Sequence, residues 1–361
     1  MEAVRRTDYK WRIVGWNRVL SGSDEWAEGI EPGTCIRIDS PGQNFEVEKA
    51  ILRQGVNETD QSFATISARQ LDDLKFEKGR ILALRQWYGG WRKTLERVGE
   101  TLRDRQVRYF NPPADITAMF DKPRCNYRLR AEGVSTPPIL GFPRSFDALV
   151  ALMRKTTCSR VFLKPYYSSS ASGIVAFESQ GGRQQAFSSL ELVREGGEIK
   201  LYNSRRVRRY ETLTEIRDLI DAISRENVYA ERWLPKAGLD GKRLDLRIVV
   251  IAGQARHVVV RLSDHPMTNL QLGARRGDLG LLKRTMGEEA WQGALALAED
   301  GMKAFPKSLY GGLDVLISPG WRKACVLEVN AFGDFLPQLR WEGQDTYSCE
   351  LASFQVSTMG R

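Results

Sequence analysis

The chain has 361 residues, 42% of them hydrophobic and 27% charged, a composition that fits two or three packed units and argues against a disordered chain. No stretch approaches the roughly 18 to 20 consecutive apolar residues of a membrane span, and Met1 to Arg6 lead into no apolar signal core, so a cytoplasmic protein with no membrane partner is expected. Lys plus Arg exceed Asp plus Glu by 54 to 45, and the net charge of +9 favours anionic partners: nucleotide phosphates, acidic peptides or nucleic acid, among which charge alone does not choose.

Five scattered cysteines (Cys35, Cys125, Cys158, Cys325, Cys349) form no C-x-x-C pair, which fits buried thiols in a reducing compartment better than a disulfide framework. The two histidines, His257 and His265, fall in one strand-and-loop stretch. A His-rich zinc site or a Ser-His-Asp triad would have to use one of these two, and a satisfied structural histidine is the expected role of both.

In chain order, residues 1–110 read as a first unit, with a short strand at Trp11–Gly15, a turn-rich stretch, and a helix-biased run from Ser67 to about Arg108 interrupted at Gly89-Gly90. Asn111-Pro112-Pro113 marks the boundary, because each proline disfavours helix in the residue before it. A second unit spans 111–345 and opens with a helix from Ile116 to Ala131, closed by Gly133 and Pro137-Pro138. Residues 346–361 are left as a tail. Strands are expected at 161–164, 173–177, 228–231, 245–251, 257–261, 312–317 and 324–330, with helices near 145–156, 211–225 and 287–304 and hairpin turns at Ala252-Gly253 and Pro319-Gly320. That mixture predicts an α+β architecture. The densest basic cluster, Arg205 to Arg209, lacks the stacked aromatics or helix-turn-helix setting of a nucleic-acid reader, so it is expected as a solvated loop or an acidic-substrate contact, and nucleic acid is disfavoured as a partner.

Four segments carry chemistry. In the strand 326–330, Glu328 and Asn330 share one face while Leu327 and Val329 take the other. If Asp314 pairs opposite Glu328, two carboxylates lie within about 5 Å, and with an amide oxygen they make a hard-oxygen set suited to Mg²⁺. Lys164 ends an apolar strand before the small-residue loop Ser168 to Gly173, where Ser169, Ser170, Ser172 and Gly173 offer backbone N–H groups to phosphates, or serve only as a connection. Glu231-Arg232-Trp233-Leu234 leaves a strand for a hinge that could frame an adenine ring, or pack Trp233 in the core. Asp245-Leu-Arg247 opens one strand and Arg261 closes the next; Arg261 could steady an acyl phosphate, or make an ion pair.

Taken together, Asp121-Lys122, Phe162-Leu-Lys164-Pro165 with its small-residue loop, Glu231-Arg232, Asp245-Leu-Arg247, Arg261, Asn269, and Asp314 with Glu328-Val-Asn330 resemble the ATP-grasp superfamily over about residues 112–340, and most nearly its RimK-type branch, which joins glutamate to protein or peptide ends. The resemblance implies two α+β lobes holding ATP between them, at 111–345, behind a smaller α/β pre-ATP-grasp-like domain at 1–110. It implies ATP and Mg²⁺ as cofactors: Lys122 and Lys164 on phosphates, Glu231 and Arg232 at the adenine hinge, Asp245 near the nucleotide, Thr268 and Asn269 near its phosphates, and Asp314, Glu328 and Asn330 on magnesium. It further implies a carboxylate–amine or carboxylate–nucleophile ligase working through an acyl phosphate on an amino acid or peptide. A phosphotransferase on the same fold and a non-catalytic nucleotide-binding protein are the alternatives. Members of the superfamily often form homodimers, and no interface is marked here. Two departures stand out: the usual glycine-rich loop is mostly serine, and Gly273-Ala274 stands where the branch tends to have two glycines.

Overall fold

A computed structural model describes residues 9–42, 44–58, 60, 62–332 and 338–359. Its strands are β1 (Cys35–Ile36), β2 (Arg80–Ile81), β3 (Arg108–Tyr109), β4 (Ile139–Gly141), β5 (Arg160–Pro165), β6 (Val175–Gln180), β7 (Arg183–Glu195), β8 (Glu198–Tyr210), β9 (Val228–Arg232), β10 (Gly238–Leu239), β11 (Lys242–Ile251), β12 (Gln254–Ser263), β13 (Arg275–Arg276), β14 (Tyr310–Ile317) and β15 (Ala324–Asn330). One sheet has the order β2-β8-β7-β6-β5-β9-β4; a second has β13-β12-β11-β14-β15, with β10 on β11; β1 and β3 form a small parallel pair.

Period-two patterning explains how the second sheet makes both a core and a site. Leu244, Leu246, Ile248 and Val250 of β11, Val258, Val260 and Leu262 of β12, and Leu313, Val315 and Ile317 of β14 pack in one cluster with Leu282, Trp291 and Ala298 of the helices Leu279–Met286 and Glu288–Lys303. The alternate residues Asp245 and Arg247, Arg261, and Asp314 and Leu316 take the other face. Farther along that face Val249, Ile251 and Tyr310 are covered by Cys349 and Phe354 of the helix Thr346–Met359, so the segment expected as a tail holds a packed helix. The first sheet is backed by Leu149 and Met153 of Phe146–Lys155 and by Ile216, Leu219, Ile220 and Ile223 of Leu213–Ser224, both near their expected positions.

Several expectations are corrected. Residues 11–15 form no strand and lead into the helix Trp16–Val19. Gly89-Gly90 does not interrupt its helix, which runs Leu84–Thr101; the glycines let it cross Phe45–Gln54 closely, since a Cβ on Gly90 would stand 1.8 Å from the Ile51 carbonyl oxygen. The helix expected over 116–131 is two, Pro113–Phe120 and Lys122–Ala131, broken at Asp121, whose extended backbone and carboxylate cap the second. Arg205 to Arg209 are in β8, half of a long hairpin with β7 that the polar, weakly alternating sequence had hidden. β2, from the first unit, adds to the edge of that hairpin, pairing Arg80 with Tyr202 and Ile81 with Leu201. Among the described residues no helix is long and apolar enough to cross a membrane.

Candidate active site

The cleft between the two sheets is lined from one side by Phe162 and Lys164 of β5, Ala171 and Ile174 of the loop after it, and Lys122, and from the hinge by Glu231, Arg232, Leu234 and Lys236. The second sheet contributes Asp245, Arg261, Asp314, Leu316, Leu327 and Glu328, and the loop after β12 contributes Pro266, Met267, Thr268 and Asn269.

The cleft floor is a row of alternating charge. Cross-strand registers set it: Asp245 lies opposite Arg261, Arg247 opposite Asp314, and Asp314 opposite Glu328. Arg261 donates through Nε to Asp245 Oδ1 at 2.7 Å and through a terminal nitrogen to Asp314 Oδ2 at 3.0 Å, while Arg247 donates to Asp314 Oδ1. Lys236 donates to Asp245 Oδ2 at 2.9 Å and to Thr268 Oγ1 at 2.6 Å, and Thr268 also donates to Asp245. Burial alone would raise both aspartates, but Arg247 and Arg261 around Asp314, and Arg261 and Lys236 around Asp245, outweigh it and hold both carboxyls below the ordinary aspartate value. Burial lowers Lys236 in spite of its partner Asp245.

Across the cleft, Lys164 pairs with Glu231, whose second oxygen, Oε2, has no hydrogen-bond partner. Burial raises Glu231, and Lys164 offsets part of that. The break at Asp121 puts Lys122 at the first turn of its helix, where its backbone N–H donates to Tyr166 O at 3.2 Å and its Nζ donates to Ser168 O at 2.6 Å and faces Glu328 Oε2 at 3.1 Å. Five cations (Lys122, Lys164, Lys236, Arg247, Arg261) thus meet four carboxylates (Glu231, Asp245, Asp314, Glu328), an excess of one positive charge.

No protein-family model matches the chain, and no curated protein does. Among solved structures it is similar to the VanG D-Ala:D-Ser ligase of Enterococcus faecalis, with 13% identity, 90% of this chain and 99% of that one covered, and a TM-score of 0.50. It is also similar to the D-cycloserine synthetase DcsG, at 13% identity, 90% and 99% covered and a TM-score of 0.49. A third is the ATP-grasp ligase PsnB complexed with a phosphomimetic variant of its minimal precursor, magnesium and ADP, at 14% identity, 91% and 99% covered and a TM-score of 0.43. The fold is the ATP-grasp fold.

Within that ATP-grasp fold the expected residues divide. Lys122, Lys164, Glu231, Arg232, Leu234, Asp245, Arg261, Thr268, Asn269, Asp314 and Glu328 all line one cleft. Ser169 and Ser170 are exposed, and the loop lines the cleft with Ala171 and Ile174 instead. Gly173, at φ 76°, sits where a Cβ would come 2.7 Å from the Pro165 ring, so packing and backbone conformation both call for glycine. Trp233 packs on Phe162 at 5.2 Å between ring centroids, outside the lining, and Asn330 donates to Gly312 O at 3.1 Å, leaving its oxygen as the group free to meet a cation. Leu327 does not point away from Glu328 as strict alternation requires: Asp314 pairs Glu328 while Val315 pairs Val326, so Leu327 is the extra residue of a bulge and lines the cleft.

Residue chemistry fits a nucleotide and a hard cation. Phe162, Ile174, Leu234, Met267, Leu316 and Leu327 make an apolar slot, and the partnerless Glu231 Oε2 beside it can accept from an exocyclic amine. The opposed carboxylates with the Asn330 oxygen form an all-oxygen donor set. Lys236 and the apolar liners Met267, Leu316 and Leu327 went unseen in the sequence; the one signal for Lys236 is a lysine directly after the hinge Pro235.

Proposed function

We propose that this chain is an ATP- and magnesium-dependent ligase of the RimK-type branch, joining the carboxylate of an amino acid or peptide to an amine through an acyl phosphate, with release of ADP and phosphate. One observation carries the reading: Asp314 and Glu328 face each other across β14 and β15 in a cleft whose opposite wall presents Lys122 and Lys164 under an apolar slot. Opposed carboxylates at the end of an apolar slot suit a metal-bound polyphosphate better than a neutral metabolite.

In this reading the hinge segment Glu231 to Leu234 holds the adenine, Asp245 lies near the nucleotide, and Lys122 and Lys164 hold the phosphates together with Thr268, Asn269 and, once it closes over them, backbone N–H groups of the loop 169–173. Each lysine ammonium has three donors; Lys122 spends two on Ser168 O and Glu328 and keeps one for a phosphate oxygen. Asp314, Glu328 and Asn330 would hold magnesium, which when bound would supply charge neutralisation for the polyphosphate. The substrate carboxylate attacks the γ-phosphorus, the bond to the ADP oxygen breaks, and the amine then displaces phosphate from the acyl carbon. Arg261, pinned by Asp245 and Asp314, presents its remaining guanidinium nitrogen as a fixed donor that stabilises the charge developing on the acyl phosphate. Catalysis by positioning and fixed charge needs no nucleophilic serine, cysteine or histidine.

The test is incubation with ATP, Mg²⁺ and pooled carboxylic acids, amines and peptides, following ADP, phosphate and product mass together. A product lighter by one water than its two parts, formed with free phosphate, is expected; a product carrying a phosphoryl group would replace the ligase by a phosphotransferase.

A further inference from the structure

Lys236 is a buried lysine with no part in the steps above. It stands in the hinge between β9 and β10, and its ammonium closes a triangle with the Asp245 carboxylate and the Thr268 hydroxyl, at 2.9 and 2.6 Å, with Thr268 also bonded to Asp245. A lysine this deep is uncommon unless its charge is paired, and an apolar side chain would fill a purely structural position at least as well. The triangle joins three separate segments: the hinge, the cleft floor, and the loop 264–274.

That loop crosses between the lobes. Met267 and Leu272, on either side of Thr268, pack with Phe162 and Ala176 of the opposite sheet. Asn269, next to Thr268, lines the cleft. Two apolar contacts hold the loop to the far lobe; on its own lobe Lys242 and Arg243 hold Asp264 at its start and β13 pairs with β12 after its end, so the Lys236 triangle is what fastens its middle, and Asp245 is in turn fixed by Arg261.

We propose that Lys236 is a positioning residue that fastens the loop 264–274 across the cleft, acting through Thr268 to set the loop's cleft-lining residues against the nucleotide. The proposal rests on the reading of the cleft as an ATP site, but it has a consequence in the nucleotide-free protein. Loss of the fastening loosens the middle of the loop and with it the two-residue edge strand β13 that follows, whose Arg275 and Arg276 are exposed to trypsin.

Two measurements test it. Limited trypsin digestion of the full chain without nucleotide, with fragments identified by mass, is expected to cut after Arg275 or Arg276 about tenfold faster in Lys236→Met and in Thr268→Val than in the wild type, with cleavage elsewhere unchanged. Titration with ATP and Mg²⁺ is expected to show about tenfold weaker binding in each variant, the size of one charge-assisted hydrogen bond, and the double variant no more than twofold weaker than either single one. Wild-type rates of cutting at Arg275 and Arg276 in both variants would overturn the proposal. So would losses in ATP affinity that multiply in the double variant, which would mean that Lys236 meets the nucleotide directly. A wild type that fails to bind ATP with Mg²⁺ would overturn the function while leaving the digestion result to stand or fall on its own.

Discussion

The two carboxylates proposed for magnesium differ in what their removal does to the fold. Asp314 is 7% exposed and accepts from both Arg247 and Arg261, the latter at 3.0 Å. In Asp314→Asn one carboxylate oxygen becomes an N–H₂ group pointed at a guanidinium, and two buried arginines lose their shared counter-charge. Breaking a buried pair in this way costs about 3–5 kcal/mol. Glu328 has a 27% exposed side chain, its one ion pair is with Lys122 at 3.1 Å and it accepts a long hydrogen bond from Asn330 at 3.4 Å, so Glu328→Gln, in a partly solvated setting, costs about 1 kcal/mol or less. Urea unfolding followed by circular dichroism should therefore move the midpoint of the Asp314 variant several times farther than that of the Glu328 variant, with similar slopes. It follows that Glu328→Gln is the variant in which lost ATP turnover reports on the metal and not on the fold. Equal midpoints for the two variants would refute the buried network as the support of the cleft floor.

Three further outcomes are expected. Gly90→Ala places a methyl 1.8 Å from the Ile51 carbonyl oxygen, a backbone atom that cannot yield, so thermal unfolding should fall by many degrees, whereas Gly293→Ala, with nothing within 4 Å, should be neutral or mildly stabilising. Glu350 is buried beside Arg37, and burial, which outweighs that arginine, raises its carboxyl to about 7. Such a group contributes stability that is fully present below its unfolded value of about 4.3 and is lost as pH rises through about 7, so Glu350→Gln should melt higher than the wild type at pH 8.5 and lose that advantage by pH 5. Lys164→Met removes the ammonium proposed for phosphate and takes the ion-pair partner from Glu231; ATP affinity should fall at least tenfold and by more than adenosine affinity does, as read by fluorescent-nucleotide competition.

Much of the second sheet was legible because its signal is local. The opposition of Asp314 to Glu328, posed as a condition on two apolar strands and a Pro-Gly turn, is the register found, and Asp245 and Arg261, picked out at the start of one strand and the end of the next, lie opposite each other. What escaped depends on contacts far apart in sequence or on departures from regularity. The bulge that turns Leu327 into the cleft breaks alternation by one residue. Gly89-Gly90 carries the signature of a helix break and is used instead for a helix crossing, a distinction that only the neighbouring helix settles. Lys236 gave almost no signal, since its meaning comes from Asp245 and Thr268, 9 and 32 residues away. The serine-rich loop suggested phosphate contacts for Ser169 and Ser170, yet both are exposed and the neighbouring Ala171 and Ile174 line the cleft.

The most direct test of the ATP site is calorimetric titration of the wild-type protein with ATP, with and without Mg²⁺. The structure predicts one site per chain, strengthened by Mg²⁺ in the wild type and indifferent to it in Glu328→Gln. Absence of binding, or binding whose response to Mg²⁺ is the same in both proteins, would contradict the assignment of the cleft.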